Sequence, residues 1–270
     1  MPDMKDGSFQ KPAASVLLFS WGARALFVGP GFRLSPHRNA VAVLAIGVDR
    51  PFGVAGNPKS TSPVYRSCRT ALIPPNTLHH FDIAQGRVAF LYVDARSRDL
   101  EHLKELAAER TPRASFDLSI ENDLIDVSAR LSDGAIDWKQ ARAKIVGHLD
   151  AHAPSDVDCR VARLLERLHE DPAARMSLTS IAGEVGISES RLMHVFKRDV
   201  GIPFRRYRIW VSMGAAIRMM REGATLTDAA LGTGFSSSAH FSASFRQMFG
   251  MEPSRLGRAI RPCLAGEDSR

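Results

Sequence analysis

The amino-acid sequence predicts an α+β protein with a β-rich N-terminal half and an all-helical C-terminal half. Three observations predict this class. Up to about residue 95 the chain alternates short apolar runs with turns that contain Gly and Pro. After residue 97 the apolar residues take helical spacing, and the last hundred residues contain an internal repeat. A chain of 270 residues is long enough for two domains.

The composition is that of a globular protein. Hydrophobic residues make up 44% of the chain, charged residues 24%, and the mean hydropathy is -0.13. No apolar stretch approaches the roughly 20 residues of a membrane-spanning helix, and the N-terminus lacks a secretory signal. Cys68, Cys159 and Cys263 are scattered and form no CxxC pair, so neither a disulfide framework nor a zinc module is indicated. We expect a cytoplasmic protein that does not bind a membrane.

The N-terminal half contains apolar runs of strand length, separated by turn-forming residues. The five runs are residues 16–20, 25–29, 40–48, 69–75 and 87–94. Many short strands at this spacing are typical of a sandwich or a small barrel. Helical spacing then begins at Leu100, Leu103 and Leu106, and two further helical stretches follow near 120–131 and 136–150.

The chain divides in its middle. We predict an N-terminal domain over residues 1–152, a Pro-containing linker at 153–156 and a helical domain over 157–262. The segment 155–262 is the more basic part, with 16 basic and 11 acidic side chains, a net charge of +5. Fifteen of its 16 cations are Arg, which suits bidentate binding to phosphate and guanine.

An internal repeat lies within the helical domain. Leu178-Thr179 aligns with Leu226-Thr227 at an offset of 48, and Phe196-Lys197 aligns with Phe245-Arg246 at an offset of 49. Each copy reads as a helix, a Gly suited to positive φ, a Ser that can cap, and a second helix. This order predicts two helix-turn-helix units, over 178–199 and 226–249, and such units can place their second helix in a major groove.

A long helix is predicted to connect the two units. Residues 204–221 contain no Pro and a single Gly, Gly214. About 20 residues at roughly 1.5 Å each make a rod of about 30 Å. Because successive major-groove faces on one side of DNA lie about 34 Å apart, the rod can place both second helices in neighbouring grooves.

Residues 157–259 resemble the DNA-binding domain of the AraC/XylS family of bacterial transcription regulators. The stretch LTDAALGTGFSSSAHFSASFRQMFGMEP is especially similar to the family signature of a GF turn, a spaced aromatic pair, a basic residue, and FG followed by Pro. The resemblance implies sequence-specific promoter binding, usually activation. It implies double-stranded promoter DNA and RNA polymerase as partners, with a small-molecule effector and a homodimer as further expectations.

The outward positions of the second helix in each unit correspond to the family's base-reading positions. We predict as base-reading residues Ser190, Met193, His194, Ser238, Ala239, His240, Ser242 and Ala243. We predict as phosphate contacts Arg191, Lys197, Arg198 and Arg246. Because alanine forms no hydrogen bond with a base edge, the second unit is expected to bind mainly by shape and phosphate contact.

Other residues of the helical domain have a structural interpretation. Five aromatic side chains are predicted to lie in the core: Phe196, Phe235, Phe241, Phe245 and Phe249. Trp210 on the connector is expected to pack rather than to stack on DNA. Arg205, Arg206 and Arg208 fit equally an ordinary charged face and a set of phosphate contacts.

The N-terminal half resembles the cupin-like sensing domain of many family members, through GPGFRLSPHRNAVAVLAIG and ALIPPNTLHHF. Metal-binding cupins carry a His-x-His pair and a Glu in the first motif. Here Arg38 and Asn39 follow His37, and no Glu occurs before Asp49. With at most two ligands left, we predict no metal and no cofactor.

The barrel mouth is a natural place for a small-molecule pocket. The candidate effector residues are Arg33, His37, Arg69, His79 and His80, each of which also fits a surface or strand-pairing role. The helices over 97–150 fit either a cover for the barrel or a dimer contact.

Three functions follow from these patterns. A DNA-binding regulator modulated by a small molecule is favoured. A cupin enzyme, metal-free or metal-dependent, with an accessory helical domain is disfavoured because neither a metal triad nor a nucleophile–base motif is present, so no catalytic residue is predicted. A nonspecific architectural DNA binder is the third, suggested by the small residues of the second unit.

Overall fold

The computed structural model describes residues 16–83, 85–149, 157–173 and 177–255. It confirms the α+β class, with a β-rich N-terminal part that is followed by helices. The predicted linker at 153–156 lies outside the described residues, as do the predicted domain ends at residues 1, 152 and 262. The domain bounds therefore stay a prediction.

Short antiparallel strands build the N-terminal part. In chain order they are β1 (Leu17–Trp21), β2 (Arg24–Pro30), β3 (Ala42–Gly47), β4 (Phe52–Ala55), β5 (Arg66–Cys68), β6 (Thr70–Ile73), β7 (His80–Asp82), β8 (Arg87–Val93), β9 (Ala107–Arg110) and β10 (Ser115–Leu118). They form a seven-stranded sheet in the order β1-β2-β8-β3-β6-β10-β9 and a three-stranded sheet in the order β5-β4-β7.

The seven-stranded sheet is buried on both faces. Along β8, Val88 and Phe90 point to one core, while Ala89 and Leu91 point to the other. This alternation is the two-residue period of a strand. The first core is shared with the three-stranded sheet and with the C-terminal helices, and the second lies under the helices that follow β8. Residues of both predicted domains therefore belong to one continuous core.

Three helices cover the second face of the large sheet: α1 (Asp99–Glu105), α2 (Glu121–Ser132) and α3 (Trp138–Gly147). Leu124, Val127 and Ile145 are among the side chains that they bury against it. The helix predicted from Leu100 through Leu106 ends earlier than expected, because Ala107–Arg110 pairs with Ser115–Leu118 as a strand. The stripe of Leu100, Leu103 and Leu106 thus extends just past α1, and the helical stretches predicted near 120–131 and 136–150 correspond to α2 and α3.

Among its described residues, the C-terminal part consists of helices joined by turns. Its helices are α4 (Cys159–Glu170), α5 (Leu178–Glu184), α6 (Glu189–Val200), α7 (Phe204–Arg221), α8 (Leu226–Gly232) and α9 (Ser238–Phe249). The predicted connector 204–221 coincides with α7. Helices α5–α6 and α8–α9 are the two predicted helix-turn-helix units. No helix within the described ranges has the length and apolar character needed to span a membrane.

The two units share their caps and turns. Ser177 caps α5 and Thr225 caps α8, each accepting a hydrogen bond from the backbone three residues later. Ser188 caps α6, and Ser237 rather than the aligned Ser236 caps α9. The extra residue of the second copy therefore lies in the turn before α9.

Candidate nucleic-acid interface and interdomain cavity

Helix α6 presents a polar and basic face to solvent. Ser190, His194 and Lys197 are exposed, while Leu192, Val195 and Phe196 face the core, as the helical spacing predicted. Met193 differs, because it is half-buried and packs against that core. Of the three α6 residues predicted to read bases, Ser190 and His194 are therefore the exposed polar ones.

Helix α9 presents smaller side chains. Ala239, His240 and Ala243 are exposed, and Ser238 and Ser242 are partly exposed. Nδ1 of His240 lies 3.1 Å from Oγ of Ser236, and its ring meets the edge of Phe235. Because this hydrogen bond and ring contact already hold the His240 imidazole, its reach toward DNA is shorter than that of His194.

The four predicted phosphate contacts are all exposed but differ in their partners. Arg198 pairs with Asp199 at 2.5 Å, and Arg246 pairs with Glu252 at 2.5 Å. For Arg191 and Lys197 no ion pair occurs among the described residues. The first unit thus carries two cations without an acidic partner there, whereas Arg246 of the second unit must exchange Glu252 for a phosphate. The DNA roles of all twelve residues stay predictions.

The core assignments are confirmed. The five predicted phenylalanines are between 0% and 8% exposed. Trp210 packs between Tyr92 and Phe249, with ring centroids 5.6 Å and 6.0 Å away, and so lies at the contact between the two parts of the chain. The interpretation of Trp210 as a packing residue is confirmed.

The connector arginines separate into two groups. Arg205 and Arg208 are exposed, whereas Arg206 turns toward the N-terminal part and donates to the carbonyl oxygen of Arg38. Burial lowers the pKa of Arg206, and the nearby Arg38 lowers it further. Of the three, only Arg205 and Arg208 face a solvent surface where a phosphate can bind.

A cavity of about 220 Å³ lies where the N-terminal sheet meets α7 and α9. Strands β1, β2 and β8 form one wall, and Trp210, Ile217 and Phe249 line the other. The lining is largely apolar, which is typical of a small-molecule site. Because one wall belongs to the N-terminal part and the other to the C-terminal part, a bound molecule would contact both parts at once.

Charged groups line part of this cavity. Arg24, Arg96, Arg218, Arg221, Asp94 and His169 are among its lining residues. Arg24 is bound in a bidentate pair with the buried Asp99, at 2.6 and 2.8 Å. Burial, reinforced by Arg96 and Arg218, lowers the pKa of His169 to about 4, although Asp94 opposes this shift. Asp99 neutralises Arg24, and Arg96 lies 3.5 Å from Asp94, so the positive charge of Arg218 is what favours an anionic ligand group here.

The five predicted effector residues do not meet at this cavity. Arg33 is exposed, and Arg69 donates to the carbonyl oxygens of Gly47 and Val48. His80 lies between Tyr65 and the carbonyl oxygen of Leu34. The structure therefore spreads three of the five over the sheet ends, each held by local contacts.

His37 and His79 form a buried pair. Their backbones exchange two hydrogen bonds across an isolated bridge, and their rings lie 4.4 Å apart. Burial lowers the pKa of His37 to about 4 and that of His79 to about 3, so both rings are neutral at pH 7. Their Nδ1 atoms bond to the carbonyl oxygens of Ser35 and Thr77. The pair braces the loop that carries it, and its predicted effector role stays untested.

A second cavity of about 360 Å³ opens at the mouth between the two sheets. Arg66 lines it, stacks over Phe116 and pairs with Glu109 and Asp117. The positive charge of Arg66 in this cavity is thus already neutralised by two carboxylates. Within the described ranges no group of three His, Cys, Asp or Glu side chains is placed to hold a metal ion.

The residues of the interdomain cavity were not found by sequence reasoning. His169 and Arg218 lie on helices that showed only a core pattern, and Asp94 and Arg96 follow a strand. No local signal marks them, because the cavity exists only where the two parts of the chain meet.

A family model described as a helix-turn-helix domain matches residues 181–259. A Streptomyces lividans protein named as an AraC-like transcription regulator is 35% identical over 94 residues, which are 34% of this chain and 31% of that protein. The chain carries an AraC-type helix-turn-helix domain. The match spans about a third of this relative's length, so it concerns the AraC-type domain and not the whole protein.

Solved structures extend the similarity of fold beyond the AraC-type domain. Apo ToxT from Vibrio cholerae, in a variant form, matches with a TM-score of 0.59 and 12% identity, over 90% of this chain and 99% of that one. ToxT with a bound unsaturated fatty acid matches with a TM-score of 0.56 and 14% identity, over 92% and 98%. At this identity the comparison shows a common fold, in which the N-terminal β part and the AraC-type domain occur together.

Proposed function

We propose that this chain is a sequence-specific DNA-binding transcription regulator. The observation that carries the proposal is the pair of helix-turn-helix units with matched caps, joined by the 18-residue helix α7. A helix of that length spans about 27 Å. That is near the roughly 34 Å between successive major grooves on one side of DNA. The exposed faces of α6 and α9 then meet neighbouring grooves.

The enzyme hypothesis has less support. The buried histidines bind backbone carbonyl oxygens, and the described residues hold no metal-ligating cluster. The architectural-binder hypothesis draws on Ala239 and Ala243 alone, while Ser190 and His194 of the first unit are exposed hydrogen-bonding groups at base-reading positions. We therefore propose no catalytic role and a binding preference for particular sequences.

We propose that the effector is a small apolar acid bound in the interdomain cavity. The apolar walls and the positive charge of Arg218 in the lining support this chemistry. The similarity in fold to fatty-acid-bound ToxT gives further support. The cavity volume of about 220 Å³ lies below the roughly 300–1,000 Å³ of drug-sized pockets, which favours a short ligand.

We propose promoter DNA and RNA polymerase as partners, activation as the mode of regulation, and the cytoplasm as the location. A homodimer, with α1–α3 as one candidate contact surface, is a further part of this proposal.

The DNA proposal is tested with the full chain. Sequences selected from a random pool are compared with scrambled versions in binding assays at several salt concentrations. We expect a specificity ratio of roughly 10³ or more, as for other specific DNA-binding proteins. Equal affinity for selected and scrambled DNA identifies an architectural binder and contradicts the proposal.

The effector proposal is tested by calorimetry with decanoate and with the neutral analogue decanol. We expect decanoate to bind and Arg218→Met to weaken it by about tenfold, the loss of one charge-assisted contact. Arg208→Met is the matched control, because Arg208 lies on the same helix and does not line the cavity. Equal binding of decanol and decanoate contradicts an acid-specific site.

A further inference from the structure

The N-terminal domain contacts α9, the proposed recognition helix of the second unit, at the C-terminal end of that helix. The loop Ser35–Asn39 donates three hydrogen bonds to carbonyl oxygens at this end. The backbone N–H of Ser35 reaches Gly250 at 2.8 Å, that of Arg38 reaches Gln247 at 3.3 Å, and Nδ2 of Asn39 reaches Met248 at 2.8 Å. Since the last carbonyl groups of a helix have no partner within it, the loop caps α9 from another domain.

This contact is close and rigid. Asn39 is 2% exposed, and its backbone carbonyl accepts a hydrogen bond from Asn76. At Gly250 a Cβ atom would lie 2.5 Å from the carbonyl oxygen of Ser35 and 2.7 Å from Nδ1 of His37. The buried His37–His79 bridge holds the loop from behind. A shift of the loop must therefore carry the end of α9 with it.

The first recognition helix is reached in a different way. The hydroxyl of Tyr207 on α7 donates to Oδ2 of Asp94 at 2.7 Å and lies 2.9 Å from Nε2 of His169. The Tyr207 ring packs against Phe196 of α6, with centroids 5.7 Å apart, and both side chains are 0% exposed. Asp94 at the end of β8 thus fixes Tyr207, and Tyr207 supports the buried face of α6.

The C-terminal end of α6, which corresponds to the capped end of α9, makes no such contact with the described part of the N-terminal domain. Gly201 ends α6 as Gly250 ends α9, with φ of 79° and 71°. A Cβ atom at Gly201 would meet nothing within 4 Å. The N-terminal domain therefore holds one recognition helix directly at its end and the other through a single buried tyrosine.

We propose that Asn39 and Asp94 are positioning residues for DNA recognition, each acting on a different half-site. Asn39 fixes the position of α9 in its groove, and Asp94, through Tyr207, fixes the position of α6. This inference rests on the proposed function, because it presupposes that both helices read DNA. It assigns part of the sequence preference to side chains of the N-terminal domain that never touch DNA.

The test uses the full-length protein and the selected operator. Two further operators each have one half-site replaced by unrelated sequence, and the half-site read by α6 is the one whose preference changes in His194→Ala. For each variant the ratio of its affinities for the intact and half-replaced operators is measured. Because both affinities come from one preparation, a loss of folded protein cancels in the ratio.

Asn39→Ala is expected to lower the ratio for the α9 half-site by about threefold or more, the equivalent of roughly one hydrogen bond, and to leave the other unchanged. Tyr207→Phe is expected to do the reverse. Asn57→Ala is the matched control for Asn39→Ala, since Asn57 is exposed in the turn after β4. If the first variants do not fold, Asn39→Ser and Asp94→Asn should show the same pattern at smaller size.

The outcomes separate this inference from the proposed function. A wild-type protein that does not distinguish intact from half-replaced operators contradicts the proposed function itself. A wild-type protein that does distinguish them, together with variants that lower both ratios equally or neither, overturns the positioning roles alone. The positioning roles are established if Asn39→Ala lowers only the ratio for the α9 half-site and Tyr207→Phe lowers only the ratio for the α6 half-site.

Discussion

The two helix-turn-helix units have the same backbone and different surroundings. Each begins at a Ser or Thr cap, turns at a Gly with positive φ, and ends at a Gly in the left-handed region. Yet the end of α6 is exposed at Gly201, whereas the end of α9 is buried at Gly250 against the N-terminal domain. The repeat therefore encodes the same fold twice, and contact with the N-terminal domain makes the surroundings of the two copies unequal.

The outward faces differ in the same sense. The first unit offers His194, Arg191 and Lys197 to solvent, while the second offers two alanines and an arginine that is already paired. The unit whose predicted DNA-contacting positions carry the smaller side chains is the one that is capped by the N-terminal domain. We therefore expect DNA binding by the second unit to depend more on the position of α9, and DNA binding by the first unit to depend more on its side chains.

Substitution of the two terminal glycines tests the contrast most strongly. We expect Gly201→Ala to cost about 1 kcal/mol of unfolding free energy, because it adds only the strain of a Cβ at positive φ. Gly250→Ala adds a collision with the Ser35 backbone, and we expect a loss of about 3 kcal/mol or separation of the domains. Chemical denaturation and small-angle scattering measure the two effects.

Similar losses at the two glycines would show that the end of α9 is not held by the N-terminal domain. Gly134→Ala is a useful reference, since Gly134 also has positive φ and a Cβ there would meet nothing within 4 Å.

The pH dependence of stability tests both contacts at once. Burial lowers the pKa of His37, beside Gly250, and of His169, beside Tyr207, to about 4 in each case. Between pH 6.5 and 4 the unfolded chain binds more protons than the folded chain. The contribution of the neutral, buried histidines to the unfolding free energy is therefore complete above pH 6.5 and is lost as the pH falls. We expect a loss of about 2 kcal/mol per histidine at pH 5.

Denaturation curves at pH 7.5 and pH 5 measure this loss. His37→Gln and His169→Gln should each reduce the difference in unfolding free energy between the two pH values. An unchanged pH difference in both variants would contradict the burial of these rings.

The sequence predicted what local signals encode. Helices α5, α6, α8 and α9 have side-chain caps, and α6 and α9 end at glycines, so the outer ends of the two units, near 178, 199, 226 and 249, followed from the chain alone. Strands β4, β5 and β7 have only three or four residues and no long apolar run, and they were missed because pairing across the sheet defines them. The interdomain contacts join Asn39 to Met248 and Asp94 to Tyr207, which are 209 and 113 residues apart. No local pattern records such contacts.

Removal of His194 tests the reading role of the first unit. Its imidazole can donate to guanine or accept from an adenine or cytosine amino group, and one base contact discriminates by about 1–3 kcal/mol. We expect His194→Ala to relax the preference at one or two base pairs of a single half-site. A panel of single-base operator variants measures this. An unchanged preference would remove His194 from the base-reading set.

Removal of Arg246 tests the anchoring role of the second unit, and we expect the smallest effect here. Binding to a phosphate must break the pair with Glu252 at 2.5 Å, which offsets part of the gain. Arg246→Ala should weaken all sequences about equally and lower the slope of log affinity against log salt by about one unit. Glu252→Gln frees Arg246 and should strengthen binding without changing base preference. Should Arg246→Ala alter base preference while His194→Ala leaves it intact, the roles of reader and anchor are reversed, and the second unit is the one that reads the sequence.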